Sequence, residues 1–241
     1  MALAAQTPKF PASPPAEALK ALRSKGFKIG FSYQDVWQEE HQVAFTVAKA
    51  MRQDLLEVVR AAVDQALEQG LTFQTFQQQL MPLLDKLGWT GIKNMIDPTT
   101  GEEKLVELGT PRRLRVIYDT NMRVQRAVGQ WERIQRTAEE RPYLLYQLGP
   151  SERHRPQHEA WSGTLLPIDD PFWDVAFPPN GWGCKCRVVQ LGIEQTQRRG
   201  GVTASPKLHL IEYENKRTGE ILTTPRGIDP GWAYNPGKKA A

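Results

Sequence analysis

Cysteine is scarce in this chain of 241 residues: only Cys184 and Cys186 occur, separated by a single residue. Two thiols so close together cannot staple a domain, which excludes the small secreted scaffolds built on disulfides and points to a reducing interior. Long apolar runs are missing too. Nothing approaches the roughly 20 residues that a helix needs to cross a bilayer, so no membrane-spanning segment is predicted. The opening MALAAQTPKFPASPP contains small residues and proline without a compact apolar stretch, so no secretory signal is predicted either. These absences describe a soluble chain made in the cytosol. Neither sign of charge dominates. A formal net charge of +4 favours approach to DNA or an acidic surface without defining a nucleic-acid-binding protein. No useful repeat and no recognised base-reading motif is present.

With 40% hydrophobic residues, the chain can bury a core as one domain or two modest ones. Pro8, Pro11, Pro14 and Pro15 predict an extended arm over residues 1–25, with one or two helical turns before Gly26. From Val36 to Leu67, the spacing of Ala44, Ala48, Met51, Leu55, Val58 and Ala62 predicts one helical stripe. Phe45, Val47, Leu56, Val59 and Val63 widen it to the width of a packed bundle. Gly70 offers a stop and Thr72 a cap for a second helix, which Pro82 kinks or divides. The segment Gly88–Gly109, with four glycines and Pro98, reads as a long connection. Thr110 followed by Pro111 starts another helix that runs towards Arg141.

Beyond Pro142, strands are predicted at Tyr143–Leu148, Arg187–Gln190, Leu208–Tyr213 and Glu220–Thr223, the last two forming a hairpin. The predicted class is α+β: a helical N-terminal half, then a small mixed domain with long loops rich in aromatics and glycine. Helical residues 26–100 precede a second region at 101–237, with the boundary near 90–110 and a polar tail at 238–241.

Positive charge is concentrated. Residues 111–157 hold ten arginines, five acids and no lysine. Arg112, Arg113, Arg123, Arg126 and Arg133 are candidates for contact with phosphates or with an acidic partner, since the guanidinium fork suits either. A solvated helix face is the alternative.

The densest chemistry lies between residues 154 and 188. His154, His158, Cys184 and Cys186 have the donor types of a tetrahedral structural zinc, although Cys-x-Cys is not zinc-finger spacing. Buried thiols beside polar loop histidines, or a Cys–His nucleophilic pair, use the same residues. Asp169, Asp170 and Asp174 lack the opposed arrangement of paired acid/base carboxylates and read as turn and capping residues. No catalytic residue is assigned and no complete active site is legible. Trp161, Phe172, Trp173, Phe177 and Trp182 read as a compact loop core. Trp161, Trp173, Trp182 and Trp232 are also candidate interaction residues.

Four stretches together are distinctive: HEAWSG (His158–Gly163), DDPFWD (Asp169–Asp174), PPNGWGCKCRV (Pro178–Val188) and GIDPGWAYNPG (Gly227–Gly237). With the helical segment Tyr33–Leu56, they make the chain resemble the phage Mu F-like head-morphogenesis family, also described as minor head proteins. The resemblance implies a non-enzymatic, low-copy head component, present in the host cytoplasm during assembly and then in the procapsid or virion head. Its implied partners are phage portal or capsid proteins and packaged DNA. It also implies that the C-terminal module can stand beside toxin domains, of which none is expected after Gly237. A metal-assisted nuclease acting through His158, and a non-enzymatic DNA-binding virion protein, remain the alternatives.

Overall fold

A computed structural model describes residues 16–36 and 40–238. The four prolines of the predicted arm, Trp37 and residues 239–241 of the predicted tail lie outside the described residues. The architecture is α+β, with a helical N-terminal half and small sheets that follow it.

Helix α1 (Ala16–Arg23) buries Ala18 and Leu22. Arg23 clamps it to the third helix, donating to both carboxylate oxygens of Asp64 at 2.7 Å. Next come β1 (Gly26–Phe27), α2 (Glu40–Val43) and β2 (Ala44–Phe45), the two strands pairing in parallel. Helices α3 (Gln53–Gln69) and α4 (Phe73–Lys86) then pack together. Gly70 ends α3 in the left-handed conformation at φ 63°, and the Thr72 hydroxyl caps α4 through the Thr75 amide. Pro82 lies inside α4 without dividing it.

Two expectations are corrected. The helix predicted from Val36 to Leu67 is regular only from Gln53. The backbone before it pairs elsewhere: Lys28 N–H donates to Phe45 O at 3.1 Å and Lys49 N–H to Gly30 O at 3.1 Å. Lys49, with φ 70°, also breaks any helical path. The segment expected to be a long connection is an antiparallel hairpin of β3 (Gly91–Ile96) and β4 (Glu103–Leu108). Its glycines sit at the ends and turn, while Val106 and Leu108 face the core and Leu105 faces out, the two-residue alternation of a half-buried strand.

Helix α5 (Pro111–Arg136) starts at the predicted cap, with the Thr110 hydroxyl accepting from the Arg113 amide. At 1.5 Å per residue its 26 residues span about 39 Å, enough to serve two cores. Leu114, Ile117 and Met122 join the helical core with Leu56, Phe76 and Leu80. Val124, Ala127, Trp131 and Ile134 enter a second core with the C-terminal sheet and loops.

That sheet has β5 (Tyr143–Gln147) at its centre, flanked antiparallel by β6 (Leu165–Pro167) and β7 (Arg187–Leu191). Short helices α6 (Pro156–Ala160), α7 (Phe172–Ala176) and α8 (Ile193–Gln197) intervene, and the predicted last hairpin forms from β8 (Leu210–Glu214) and β9 (Ile221–Pro225). Trp161, Trp173 and Phe177 are almost wholly buried in the second core. At roughly 150–250 Å² per ring, each contributes about 4–6 kcal/mol of apolar burial as an upper bound, which holds irregular backbone without a larger sheet. Among the described residues, no helix is long and apolar enough to cross a membrane.

Candidate metal centre

The chemistry gathers where α6, the loop before β7 and the C-terminal stretch meet. Pro156 occupies the first position of α6, where its missing N–H costs nothing. The helix then turns His158 inward to 2% exposure. Its ring stacks on Trp161, with centroids 5.5 Å apart and planes at 18°, and Tyr146 packs edge-on.

Both ring nitrogens are placed. Nε2 lies 2.9 Å from the Gly227 carbonyl oxygen. A carbonyl only accepts, so Nε2 carries the proton and Nδ1 of the neutral ring presents its lone pair. Nδ1 stands 3.5 Å from Cys186 Sγ and 3.9 Å from Cys184 Sγ. All three donor atoms lie within 4.8 Å of one another.

The two sulfurs approach because the loop is sharply bent. Cys184 N–H closes a turn onto Gly181 O at 3.1 Å, with Gly183 at φ 70°. Gly149 lets the loop pass: a Cβ there would fall 1.8 Å from the Lys185 carbonyl oxygen. Arg123 of α5 holds the bend from behind, donating to Gly183 O at 3.2 Å and to Cys184 O. Both cysteines therefore precede β7 and do not lie on a strand.

The contact between the two thiols shifts them in opposite directions. Cys186 is pulled down to about 6, first by the hydrogen bond from Cys184 and further by the Tyr146 hydroxyl and the Gly149 backbone, against its burial. Cys184 is pushed up to about 12 by that same bond and by burial. Burial, and then the charge of Cys186, raise the Tyr146 phenol far above its ordinary range.

His154 stands apart from this group. Its Nε2 lies 2.9 Å from Gly149 O, so the four residues named from sequence become three in space. The carboxylates also have other partners. Asp170 accepts from the Phe172 amide and the Ser205 hydroxyl, both at 2.9 Å, and Asp174 pairs with Lys238. Asp229, not singled out from sequence, binds Arg155 at 2.7 Å and the Trp182 amide at 2.8 Å. The aspartate and glycines of GIDPG were the available signal, for Gly227 supplies the carbonyl behind His158.

The candidate interaction residues divide. Trp161 and Trp173 are core, whereas Trp182 is 38% exposed and packs edge-on against Trp232 at 5.1 Å. Trp182, Trp232, Arg112 and Arg113 line a cleft of about 570 Å³ between the helical half and the C-terminal loops. Arg126 and Arg133 are exposed, and Arg123 is engaged as described.

The family model for "Phage Mu protein F like protein" matches residues 57–189. A protein named "Putative capsid assembly protein F" from Escherichia phage Mu is 36% identical over 94% of this chain and 55% of its own length. The "Mu-like prophage FluMu F protein" of Haemophilus influenzae is 33% identical over 88% of this chain and 54% of its own length. The chain thus spans about half the length of the curated relatives it matches. No solved structure matches.

Proposed function

The chain belongs to the family of phage Mu protein F like proteins, and on that premise we propose that it is a non-enzymatic component of phage head assembly, associating with the portal or capsid of the procapsid. The observation that carries this reading is the likeness, over nearly the whole chain, to a phage Mu protein named for capsid assembly. The geometry supports a docking role. Large aromatics are spent on a rigid loop core, and a cleft with an aromatic wall and the exposed Arg112 at its margin opens between two cores that share α5. Such a cleft suits a partner's apolar anchor flanked by acidic residues.

Protein contact is favoured over DNA because much of the arginine charge is committed internally. Arg113 donates to Ala48 O, Arg115 pairs with Asp119, Arg123 holds the cysteine loop, Arg136 pairs with Glu17 and Arg155 with Asp229. The experiment is a clean in-phage deletion, complemented by the native chain or by Arg112→Glu, with procapsids and mature particles counted and their protein neighbours cross-linked. Loss of filled heads on deletion, with cross-links to portal or capsid, is expected. Normal particle yield, DNA content and infectivity would overturn the reading.

A further inference from the structure

We propose that His158, Cys184 and Cys186 bind a single zinc ion through three protein ligands, with the fourth position left to water. This inference is independent of the head-assembly reading.

Three observations converge. The first is distance. Ligands held tetrahedrally at the usual Zn–N and Zn–S bond lengths stand about 3.6 Å apart. The Nδ1–Sγ separations of 3.5 and 3.9 Å bracket that value, and all three donor atoms lie within 4.8 Å of one another, so the imidazole already stands at metal-ligand spacing from both sulfurs. The second is the ring behind the first ligand. Gly227 O fixes the proton on Nε2 and aims the Nδ1 lone pair at the sulfurs, the outer-shell hydrogen bond that metal-bound histidines make. The third is donor type and enclosure. Two thiols and an imidazole select zinc over the hard oxygen-seeking cations. His158 and Cys184 are buried, while Cys186 is partly open and offers a path for an ion and for a water ligand.

No fourth histidine, cysteine or carboxylate joins the group among the described residues. His154 is tied to Gly149 O instead. The ion would lock three segments that no regular element connects: α6, the bent loop at Gly181–Cys186, and through the His158 ring the C-terminal stretch at Gly227. Binding forms two Zn–S bonds and one Zn–N bond. The thiol protons leave to solvent, and the two thiolates balance the dication.

The test uses the 241-residue chain purified under reductant without chelators. Elemental analysis should find about one zinc per chain. After chelator stripping, Co(II) should restore a tetrahedral visible spectrum with a thiolate-to-metal charge-transfer band. Cys186→Ser and His158→Ala should lose at least about tenfold in metal affinity, and His154→Ala should keep it. If the ligand variants fail to fold, the Co(II) titration of the native chain decides alone. A folded native chain with both thiols reduced, free of zinc and silent towards Co(II), overturns the proposal. Equal loss of metal in His154→Ala overturns the three-ligand set.

Discussion

The Arg217 guanidinium closes on the Asp97 carboxylate across 120 residues, with Nη2–Oδ1 at 2.7 Å and Nε–Oδ2 at 3.2 Å. It joins the turn of the β8–β9 hairpin to the turn of β3–β4, and Asp35 binds the same guanidinium. Asp97 is 1% exposed and the Arg217 side chain 10%, so the pair is screened little by water. Removing one partner of a buried pair strands the other charge and costs about 3–5 kcal/mol. Asp97→Ala is therefore expected to lower the unfolding free energy by about 3 kcal/mol. Arg217→Met should cost about as much, because each variant leaves the surviving charge with partners: Lys104 and the Thr99 amide for Asp97, Asp35 and the Thr99 hydroxyl for Arg217. Equal urea midpoints for Asp97→Ala and the native chain would show that the pair contributes nothing.

Arg123 separates a structural from a nucleic-acid role for the arginine-rich helix. Its bonds to the Gly183 and Cys184 carbonyls hold the cysteine loop. Arg123→Met keeps most of the stem and loses a charge-assisted donor, so a loss of about 1.5–3 kcal/mol in stability is expected. DNA affinity should not change. A stable variant with weakened, salt-sensitive DNA binding would reverse that assignment.

Burial also sets a pH dependence. Burial, helped by the Lys25 charge, lowers His41 to about 4, and burial lowers Lys25 to about 8. For each, the folded state holds its proton less tightly than the unfolded chain. Between pH 4 and 6.5 the unfolded chain binds the extra His41 proton, so stability rises with pH there and is lost on acidification. Lys25 adds a second rise between pH 8 and 10.5. Thermal unfolding across pH 4–7 should show the first slope, and His41→Gln should flatten it. An unchanged slope in that variant would assign the acid lability to other groups.

These relationships also mark what was legible in the chain. Caps and strands written in local chemistry were readable: Thr72, Thr110–Pro111, the Tyr143 strand and the terminal hairpin. The Val36–Leu67 stripe misled because Ala44, Ala48 and Met51 repeat at helical spacing, while the backbone there pairs with residues 28–30, a non-local choice that periodicity cannot register. Glycine at the ends of β3 and β4 masked a strand alternation between them. At the site, donor types identified His158, Cys184 and Cys186. Only the fold shows that Pro156 starts α6 after His154, which separates the two histidines.

Gly227 tests whether the His158 ring is aimed from behind. Its φ is 91°, and an added Cβ would fall 2.3 Å from Gln157 Cβ, on the helix that carries His158. Gly227→Ala therefore pushes the carbonyl and α6 apart and loosens the Nε2 hydrogen bond. Loss of such an outer-shell partner weakens metal binding about 10–100-fold, and zinc competition against a chromophoric chelator should read a change of that size. Asn215→Ala, which removes a buried side chain from the distant hairpin turn, separates general destabilisation from the local effect. It should lower the melting temperature and leave metal affinity intact. If Gly227→Ala keeps native affinity, the Gly227 carbonyl is not what orients the ring. If Asn215→Ala weakens binding as much, the loss follows global stability and not the His158–Gly227 contact.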